Sequence, residues 1–318
     1  MGVRLAVEPL EARDAPAGFD SLPVLPLHDP AVLDHARAIL ARGQHLGRRV
    51  DVVLKAGDSN TYPANLLPES YLGPLGAAGY NPAASRLADS YPALLDTLLT
   101  YRSGGGINSF ARVSTAAYPG WTSADVLGRL AGEVAATDAG IALVMVGTND
   151  VLLGLNLAAF RENFRRIVTT LAARGVIPVL STIPDILYGA GMYRGAVATA
   201  NQSIADVAQE FRVPLWNLWR ATTGLANDGL DSAVVHLNAS PNGGGSFHPA
   251  DLFFAQNVRN LQALKILDWF REVVAGGPTF VAPAPVWQAT ADSRSFYAVA
   301  ASNTSTVGEK PTSRPTAE

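Results

Sequence analysis

The sequence has no cysteine in its 318 residues, which excludes disulfide bonds, thiolate zinc sites and a cysteine nucleophile. Charged residues are scarce at 16%, and 24 basic residues nearly balance 27 acidic ones. We therefore expect no nucleic-acid partner. No apolar run approaches the roughly 18 residues of a membrane-spanning helix, so no integral membrane segment is expected. Hydrophobic residues make up 48% of the chain, which is enough to build a buried core.

Several catalytic and nucleotide-binding motifs are also missing. The chain has no Gly-x-Ser-x-Gly elbow, no Walker loop and no dinucleotide fingerprint, which argues against an α/β-hydrolase, a nucleotidase and a Rossmann enzyme. Its histidines and carboxylates show no spacing typical of a metal site. The sequence therefore predicts neither a cofactor nor a metal.

The two ends of the chain differ in composition from its middle. Residues 1–30 contain five prolines and little periodicity, which predicts an extended or disordered N-terminal arm. Residues 276–318 begin with Gly-Gly-Pro and end rich in Ser, Thr and Pro, which predicts a partly disordered tail. We expect residues 31–275 to form one domain.

The beginning of the chain carries a weak indication of location. Charges and prolines interrupt MGVRLAVEPLEARDAPA, so this segment lacks the apolar stretch of an ordinary secretory signal. Its part RLAVEPLEARDAPA is similar to a short element common at the N-termini of secreted or surface proteins in some bacteria. That resemblance implies a secreted or cell-surface location, whereas composition alone leaves the location unknown.

Five short apolar runs alternate with amphipathic patterns in the middle of the chain. The strand-like runs are 50–56, 112–117, 141–146, 176–182 and 213–218. The helical patterns lie at about 85–101, 122–136, 157–174, 195–211 and 252–274. This alternation predicts a three-layer α/β/α sandwich with a five-stranded, mostly parallel sheet. A ligand site is then expected beyond the carboxyl ends of the strands.

Polar motifs directly follow three of the predicted strands. They are Gly-Asp-Ser-Asn at 57–60, Pro-Gly-Trp at 119–121 and Gly-Thr-Asn-Asp at 147–150. A serine in a strand-to-helix turn presents its hydroxyl and a backbone N–H, as a nucleophile with an oxyanion donor requires. The N–H of Gly120 and the amide of Asn149 would complete a three-donor oxyanion hole with Ser59. The alternative interpretation is that these motifs are ordinary turn sequences.

A serine nucleophile needs a base, and two of the five histidines are candidates. His236 and His248 both follow the last predicted strand, where a returning loop could reach Ser59. The other three histidines precede the sheet and are expected at the surface. The residues alone leave either late histidine open as the base, and either could be a solvated loop residue.

These motifs, in this order, resemble the SGNH (GDSL) hydrolase family over roughly residues 50–275. A bacterial branch of that family shares further blocks with the chain. They are VIPVLSTIP at 176–184, PLWNLW at 214–219, VVHLN at 234–238 and NVRNLQALKILD at 257–268. The resemblance implies a flavodoxin-like fold and metal-independent hydrolysis of esters, often acyl groups on sugars or lipids. It also implies Ser59 as nucleophile, Gly120 and Asn149 as oxyanion donors, and His236 as base.

The chain departs from the family pattern beside the histidine. Members usually carry an acid three residues before it, where this chain has Ala233, and Gly245 stands three residues before His248. Asp231 could orient the His236 ring if the loop bends, and otherwise a backbone carbonyl would leave a Ser–His dyad. Two hypotheses follow: a serine esterase acting on a small-molecule, glycan or lipid ester, or a catalytically weakened hydrolase-fold module that binds such a ligand at the cell surface.

Overall fold

The computed structural model describes residues 18–62 and 71–276. In this part of the chain four parallel strands form one sheet, in the order in which they occur in the sequence. They are β1 (Arg49–Gly57), β2 (Ala139–Met145), β3 (Ile177–Ser181) and β4 (Leu215–Trp216). Every residue of β2 and β3 is buried. Strands covered on both faces are typical of a parallel sheet between helices, and the prediction of this architecture is confirmed.

Six longer helices accompany the sheet. They are α1 (Pro30–His45), α2 (Leu94–Ser103), α3 (Ser123–Thr137), α4 (Leu157–Ala173), α5 (Arg194–Phe211) and α6 (Ala255–Trp269). Shorter helical turns occupy Phe19–Ser21, Gly73–Gly76, Leu87–Ser90, Gly104–Gly106, Thr148–Leu152, Tyr188–Gly191, Leu218–Thr222, Ala226–Gly229, Asp251–Phe253 and Phe270–Val274. The helix predicted at 85–101 is thus two separate helices.

The helices divide between the two faces of the sheet. Val53 of β1 packs into an apolar cluster with residues of α1, α2 and α6. Its neighbours Val52 and Leu54 pack into a second cluster with residues of α3, α4 and α5. Successive side chains of a strand point to opposite faces, so each strand contributes to both clusters. This arrangement is the predicted three-layer sandwich.

Helix α3 shows how local sequence fixes an element that reaches the site. Thr122 caps its first turn and forms a capping box with Asp125, in which each side chain bonds the other residue's backbone N–H. At the other end Asp138 adopts a left-handed conformation before β2 begins. The N-terminus of α3 therefore lies directly after the Pro-Gly-Trp motif.

The predicted strand at 112–117 is wrong in the structure, which leaves four strands instead of five in the described part of the chain. This segment makes only one isolated parallel bridge to the sheet, between Gly57 and Ala117. The N–H of Thr115 donates to the buried Glu133 carboxylate, and that of Ala116 donates to the Ser114 hydroxyl. Because side chains bind these N–H groups, they are not available for a ladder with β1.

Part of the predicted N-terminal arm packs against the domain. Phe19 is buried, and its ring lies 5.1 Å from that of Trp219. Its N–H donates to Gln202, while Asn217 donates to the Phe19 carbonyl. Phe19 thus contacts the domain through both its ring and its backbone. The rest of the arm, and the predicted tail beyond residue 276, lie outside the described residues.

Among the helices of residues 18–62 and 71–276, none is both long enough and apolar enough to cross a membrane.

Candidate active site

Ser59 lies in a tight turn that begins where β1 ends. Asp58 organises the turn, because its carbonyl accepts the N–H of Thr61 at 2.9 Å and its carboxylate accepts the N–H of Asn60 at 3.0 Å. Gly57 must be glycine, since a Cβ there would overlap the Met145 carbonyl and the Thr61 side chain. The turn thus fixes the candidate nucleophile at the carboxyl edge of the sheet, as predicted.

The structure brings His236, and not His248, to the serine. The Nε2 atom of His236 lies 3.1 Å from the Oγ atom of Ser59. The Nε2 atom of His248 instead lies 3.0 Å from the carbonyl oxygen of Ala84. Of the two histidines that the sequence left open, His236 therefore has the geometry of a base for Ser59.

Asp231 lies behind the His236 ring, although it precedes the histidine by five positions. Its Oδ2 atom is 3.8 Å from the Nδ1 atom of His236, which is longer than a hydrogen bond. Both side chains are about one-quarter exposed, at 27% and 28%. Contacts between catalytic groups are often long without a ligand and tighten when substrate binds. The position is therefore compatible with an orienting carboxylate.

The short loop at residues 230–237, termed the histidine loop, explains how this spacing works. An antiparallel bridge joins Leu230 and Leu237 at its base. Inside it, the Asp231 N–H donates to the His236 carbonyl at 2.9 Å, and Asp231 also accepts the N–H groups of Ala233 and Val234. Val234 has a φ of 57°, which costs on the order of 1–3 kcal/mol for such a residue. The loop therefore bends so that residue 231, instead of residue 233, faces the ring.

The segments that carry Gly120 and Asn149 flank Ser59 on the two sides of β1. Gly57 pairs with Met145 of β2 on one side and with Ala117 on the other. Asn149 joins the two segments, because its Nδ2 atom donates to the Trp121 carbonyl at 2.9 Å. A side-chain amide has two N–H groups, so this bond leaves Asn149 a second donor. The structure thus brings the two segments that carry the predicted oxyanion donors to the end of β1.

Asp150 also joins the same two segments. Its carboxylate accepts the N–H of Ser123 at 2.8 Å and the Ser123 hydroxyl at 2.7 Å. Asn163 donates to that hydroxyl at 3.0 Å. Burial raises the pKa of Asp150, and the bonds from Ser123 oppose the shift. Asp150 therefore ties the first turn of α3 to the segment that carries Asn149.

Two buried charged groups lie beneath the nucleophile. Asp58 is 1% exposed, and burial raises its pKa to about 6, against hydrogen bonds from Asn60 and Thr148. Arg259 is also 1% exposed, and its Nη1 atom donates to the Asn60 carbonyl at 2.6 Å. Burial lowers the pKa of Arg259 to about 10, so this side chain still carries its charge at neutral pH.

The sequence motifs by themselves indicate no role for Asn60 or Arg259. Asn60 is the fourth residue of the Gly-Asp-Ser-Asn motif and is 3% exposed. Arg259 lies four residues from Ala255 and four from Ala263, both of which are buried. This spacing places Arg259 on the buried face of α6. The feature of the sequence that could have identified Arg259 is a charged residue on an otherwise apolar helix face.

Three aromatic rings, termed the aromatic strip, extend along the oxyanion side of the site. Tyr118 is 52% exposed. Its ring centroid lies 5.3 Å from that of Tyr62 and 5.7 Å from that of Trp121. The N–H of Tyr118 donates to the Gly57 carbonyl, which fixes the strip beside the serine turn. Trp121, which follows the predicted oxyanion donor Gly120, is therefore one member of a group of rings.

Within the described ranges, no three His, Asp or Glu side chains converge in a way that could hold a metal ion.

A serine–histidine contact at the carboxyl edge of a parallel sheet, flanked by amide donors, has the form of a serine hydrolase. The model of the GDSL-like lipase/acylhydrolase family matches residues 56–240, more than half of the chain. The chain belongs to this family and is thus an ester-bond hydrolase. A comparison with curated protein sequences finds no match.

Solved structures similar to this chain include the following three. TesA shares 19% identity, covers 68% of this chain and 99% of its own, and gives a TM-score of 0.45. A lipase/acylhydrolase from Enterococcus faecalis shares 19% identity, covers 69% of this chain and 94% of its own, and gives a TM-score of 0.43. An acetyl xylan esterase from Geobacillus stearothermophilus shares 18%, with 68% and 93% covered and a TM-score of 0.43. At these values the similarity does not indicate a shared substrate.

Proposed function

We propose that Ser59 and His236 hydrolyse an acyl ester by a two-step, metal-independent mechanism. The Oγ atom of Ser59 attacks the acyl carbonyl carbon while Nε2 of His236 takes the hydroxyl proton. The N–H groups of Ser59 and Gly120 and the amide of Asn149 bind the resulting oxyanion. When the tetrahedral intermediate collapses, the C–O bond to the alcohol breaks and His236 gives its proton to the departing oxygen.

The second step releases the acid. A water molecule attacks the acyl-enzyme carbonyl and gives its proton to His236. The same donors bind the second oxyanion, the bond to Ser59 Oγ breaks, and His236 returns the proton to that oxygen. In this proposal Asp231 orients the ring and stabilises its positive charge in both steps.

One observation carries the proposal. The Oγ atom of Ser59 and Nε2 of His236 lie 3.1 Å apart, although the residues are 177 positions apart in the sequence. The range for a proton transfer between a nucleophile and its base is ~2.6–3.2 Å. Turn propensity accounts for the serine motif alone, but it does not account for a late histidine that contacts this hydroxyl.

The aromatic strip supports a carbohydrate ester as substrate. Tyr118 is half-exposed, and Tyr62 and Trp121 are partly exposed. Tyrosine and tryptophan rings offer an apolar face together with a polar edge, which suits a sugar ring with apolar faces and hydroxyl edges. The strip borders the serine turn, because the Tyr118 N–H donates to the Gly57 carbonyl, so a sugar stacked on its rings would lie next to Ser59. A lipid ester is another predicted substrate. Comparing the turnover of acetylated sugars with that of long-chain acyl esters distinguishes the two.

A fluorophosphonate probe tests the nucleophile. We expect labelling of Ser59 in the folded protein, and loss of both labelling and p-nitrophenyl acetate turnover in Ser59→Ala. Ser232→Ala is the matched control, because Ser232 is an exposed serine in the histidine loop. Equal turnover in Ser59→Ala and wild type would refute the mechanism.

The second candidate is a weakened hydrolase-fold module that binds a glycan. The 3.8 Å separation of Asp231 and His236 favours it, because a poorly held base lowers turnover without affecting binding. Under this hypothesis the wild type has no turnover above background, and Ser59→Ala binds an acetylated oligosaccharide as tightly as the wild type. Turnover that requires Ser59 excludes it.

A further inference from the structure

Asn60 connects the nucleophile turn, residues 57–61, with the histidine loop. Its Oδ1 atom accepts the N–H of Leu237 at 3.1 Å, and its Nδ2 atom donates to the carbonyl of Val235 at 3.2 Å. These two backbone groups belong to the residues immediately before and after His236. The side-chain amide therefore holds the backbone on both sides of the candidate base.

Few other contacts can fix the distance between serine and histidine. Among the described residues, the turn and the loop share three hydrogen bonds, and the other one is the contact between Ser59 and His236 themselves. The remaining bonds of the loop run within the loop itself or to other parts of the chain. Gln256 donates to the Leu237 carbonyl at 2.8 Å, and the N–H of Leu187 donates to the Val234 carbonyl at 3.0 Å.

Asn60 is itself rigidly held. Its N–H donates to the Asp58 carboxylate at 3.0 Å, and its carbonyl accepts Nη1 of Arg259 at 2.6 Å. The Arg259 guanidinium lies over the ring of Tyr71, with 4.5 Å between Cζ and the ring centroid. Because the donor is a buried charged group, its hydrogen bond to Asn60 is stronger than a neutral one.

We propose that Asn60 is a positioning residue that sets the distance between Ser59 Oγ and His236 Nε2, with Arg259 supporting it. Without the amide, the histidine loop keeps its own bonds and its contacts with the rest of the domain, but it loses two of its three hydrogen bonds to the nucleophile turn. The bent backbone at Val234 makes this loss important, because a backbone in an unfavourable conformation keeps its shape only when the surroundings hold it. The inference rests on the proposed Ser59–His236 pair.

The test compares Asn60→Ala with Gln256→Ala, which removes a bond from the same loop without disconnecting it from the serine. A displacement of about 1 Å can cost on the order of 100-fold in rate. We expect Asn60→Ala to lower kcat on p-nitrophenyl acetate by that order, with KM within about threefold, and to slow fluorophosphonate labelling in parallel. Gln256→Ala should keep kcat within about threefold of wild type, even if its melting temperature falls as far as that of Asn60→Ala.

Asn60→Asp provides a conservative variant and a second route if Asn60→Ala does not fold. A carboxyl group retains the acceptor for the Leu237 N–H and loses the donor to Val235, so we expect a kcat between those of Asn60→Ala and wild type. Wild-type kcat and labelling in a folded Asn60 variant would overturn the inference, as would equal losses in Gln256→Ala. If Ser59→Ala also keeps full activity, the proposed function has failed. If only Ser59→Ala is inactive, the positioning role alone is wrong.

Discussion

The most informative perturbation of the proposed mechanism is Asp231→Asn. It keeps the size of the side chain and removes the negative charge that would stabilise the protonated His236 ring. The charge lies 3.8 Å from the ring nitrogen. At that distance two unit charges interact by about 1 kcal/mol in water and by about 4 kcal/mol at an effective dielectric constant of ~20.

Partial exposure places the expected loss between these limits. Both side chains are about one-quarter exposed, and solvent screens such a pair more than a buried one. Since each 1.4 kcal/mol corresponds to about tenfold in rate, we expect Asp231→Asn to lower kcat/KM on the order of 100-fold. The corresponding change in a serine protease triad costs ~10⁴ in kcat. Because Asp231 and His236 are partly exposed, we expect the loss in Asp231→Asn to be smaller than that.

The assay is kcat/KM on p-nitrophenyl acetate, with Asp228→Asn as the matched control. Asp228 forms an ion pair with Arg194 and lies in the same part of the chain, before the histidine loop. We expect the control to remain within about threefold of wild type. Activity of Asp231→Asn in that same range would refute the reasoning and leave His236 to act without a carboxylate.

Ala233→Asp, combined with Asp231→Asn, tests how the loop presents its acid. It restores the usual family spacing of three residues before the histidine. The histidine loop places residue 231 behind the ring and leaves residue 233 exposed. We therefore expect no recovery of kcat/KM, and a recovery to near wild-type activity would show that the described bend of the loop is wrong.

Three further predictions concern buried charges and the site's neighbours. Burial lowers the pKa of Lys55 to about 7, so between about pH 7 and 10.5 the unfolded protein binds a proton at Lys55 that the folded protein has released, and the free energy of unfolding should rise with pH in this range. In urea unfolding, Lys55→Met should lose this rise. An unchanged dependence of the unfolding free energy on pH in the variant would contradict the prediction. Burial raises the pKa of Asp58 to about 6, so its contribution to stability is present below about pH 4 and is lost as pH rises through 6. Asp58→Asn should remove this fall in the free energy of unfolding between pH 4 and 6. A fall of the same size in the variant would show that Asp58 does not cause it. Tyr118→Ala should raise KM several-fold for an acetylated sugar and leave that for ethyl acetate unchanged, whereas equal effects on both would argue against sugar stacking on the aromatic strip.

The sequence alone determined the architecture and most of the candidate site. The apolar runs of β2 and β3 predict strands that are buried on both faces, and the periodicity of α3, α4 and α5 marks their buried sides. Because parallel strands end at one edge of a sheet, the polar motifs after β1 and β2 must meet there. Ser59 and Asn149 were therefore predictable without coordinates.

Local sequence could not determine where polar groups would find their partners. The segment at 112–117 has the composition of a strand, yet the carboxylate of Glu133, about twenty residues later, binds one of its N–H groups. Propensity describes a segment by itself, whereas a ladder requires that each N–H be available to a neighbouring strand. The absence of the fifth strand is therefore a consequence of tertiary contacts.

Only the tertiary structure decided which histidine faces the serine and which acid faces the histidine. His236 and His248 follow the same strand in the sequence, but a loop has no periodicity from which its path can be read. The bend at Val234 brings Asp231 to the ring, and Asn60 reaches the loop across 177 positions. Such distances depend on how separate segments pack together, and this packing is established only when the whole chain has folded.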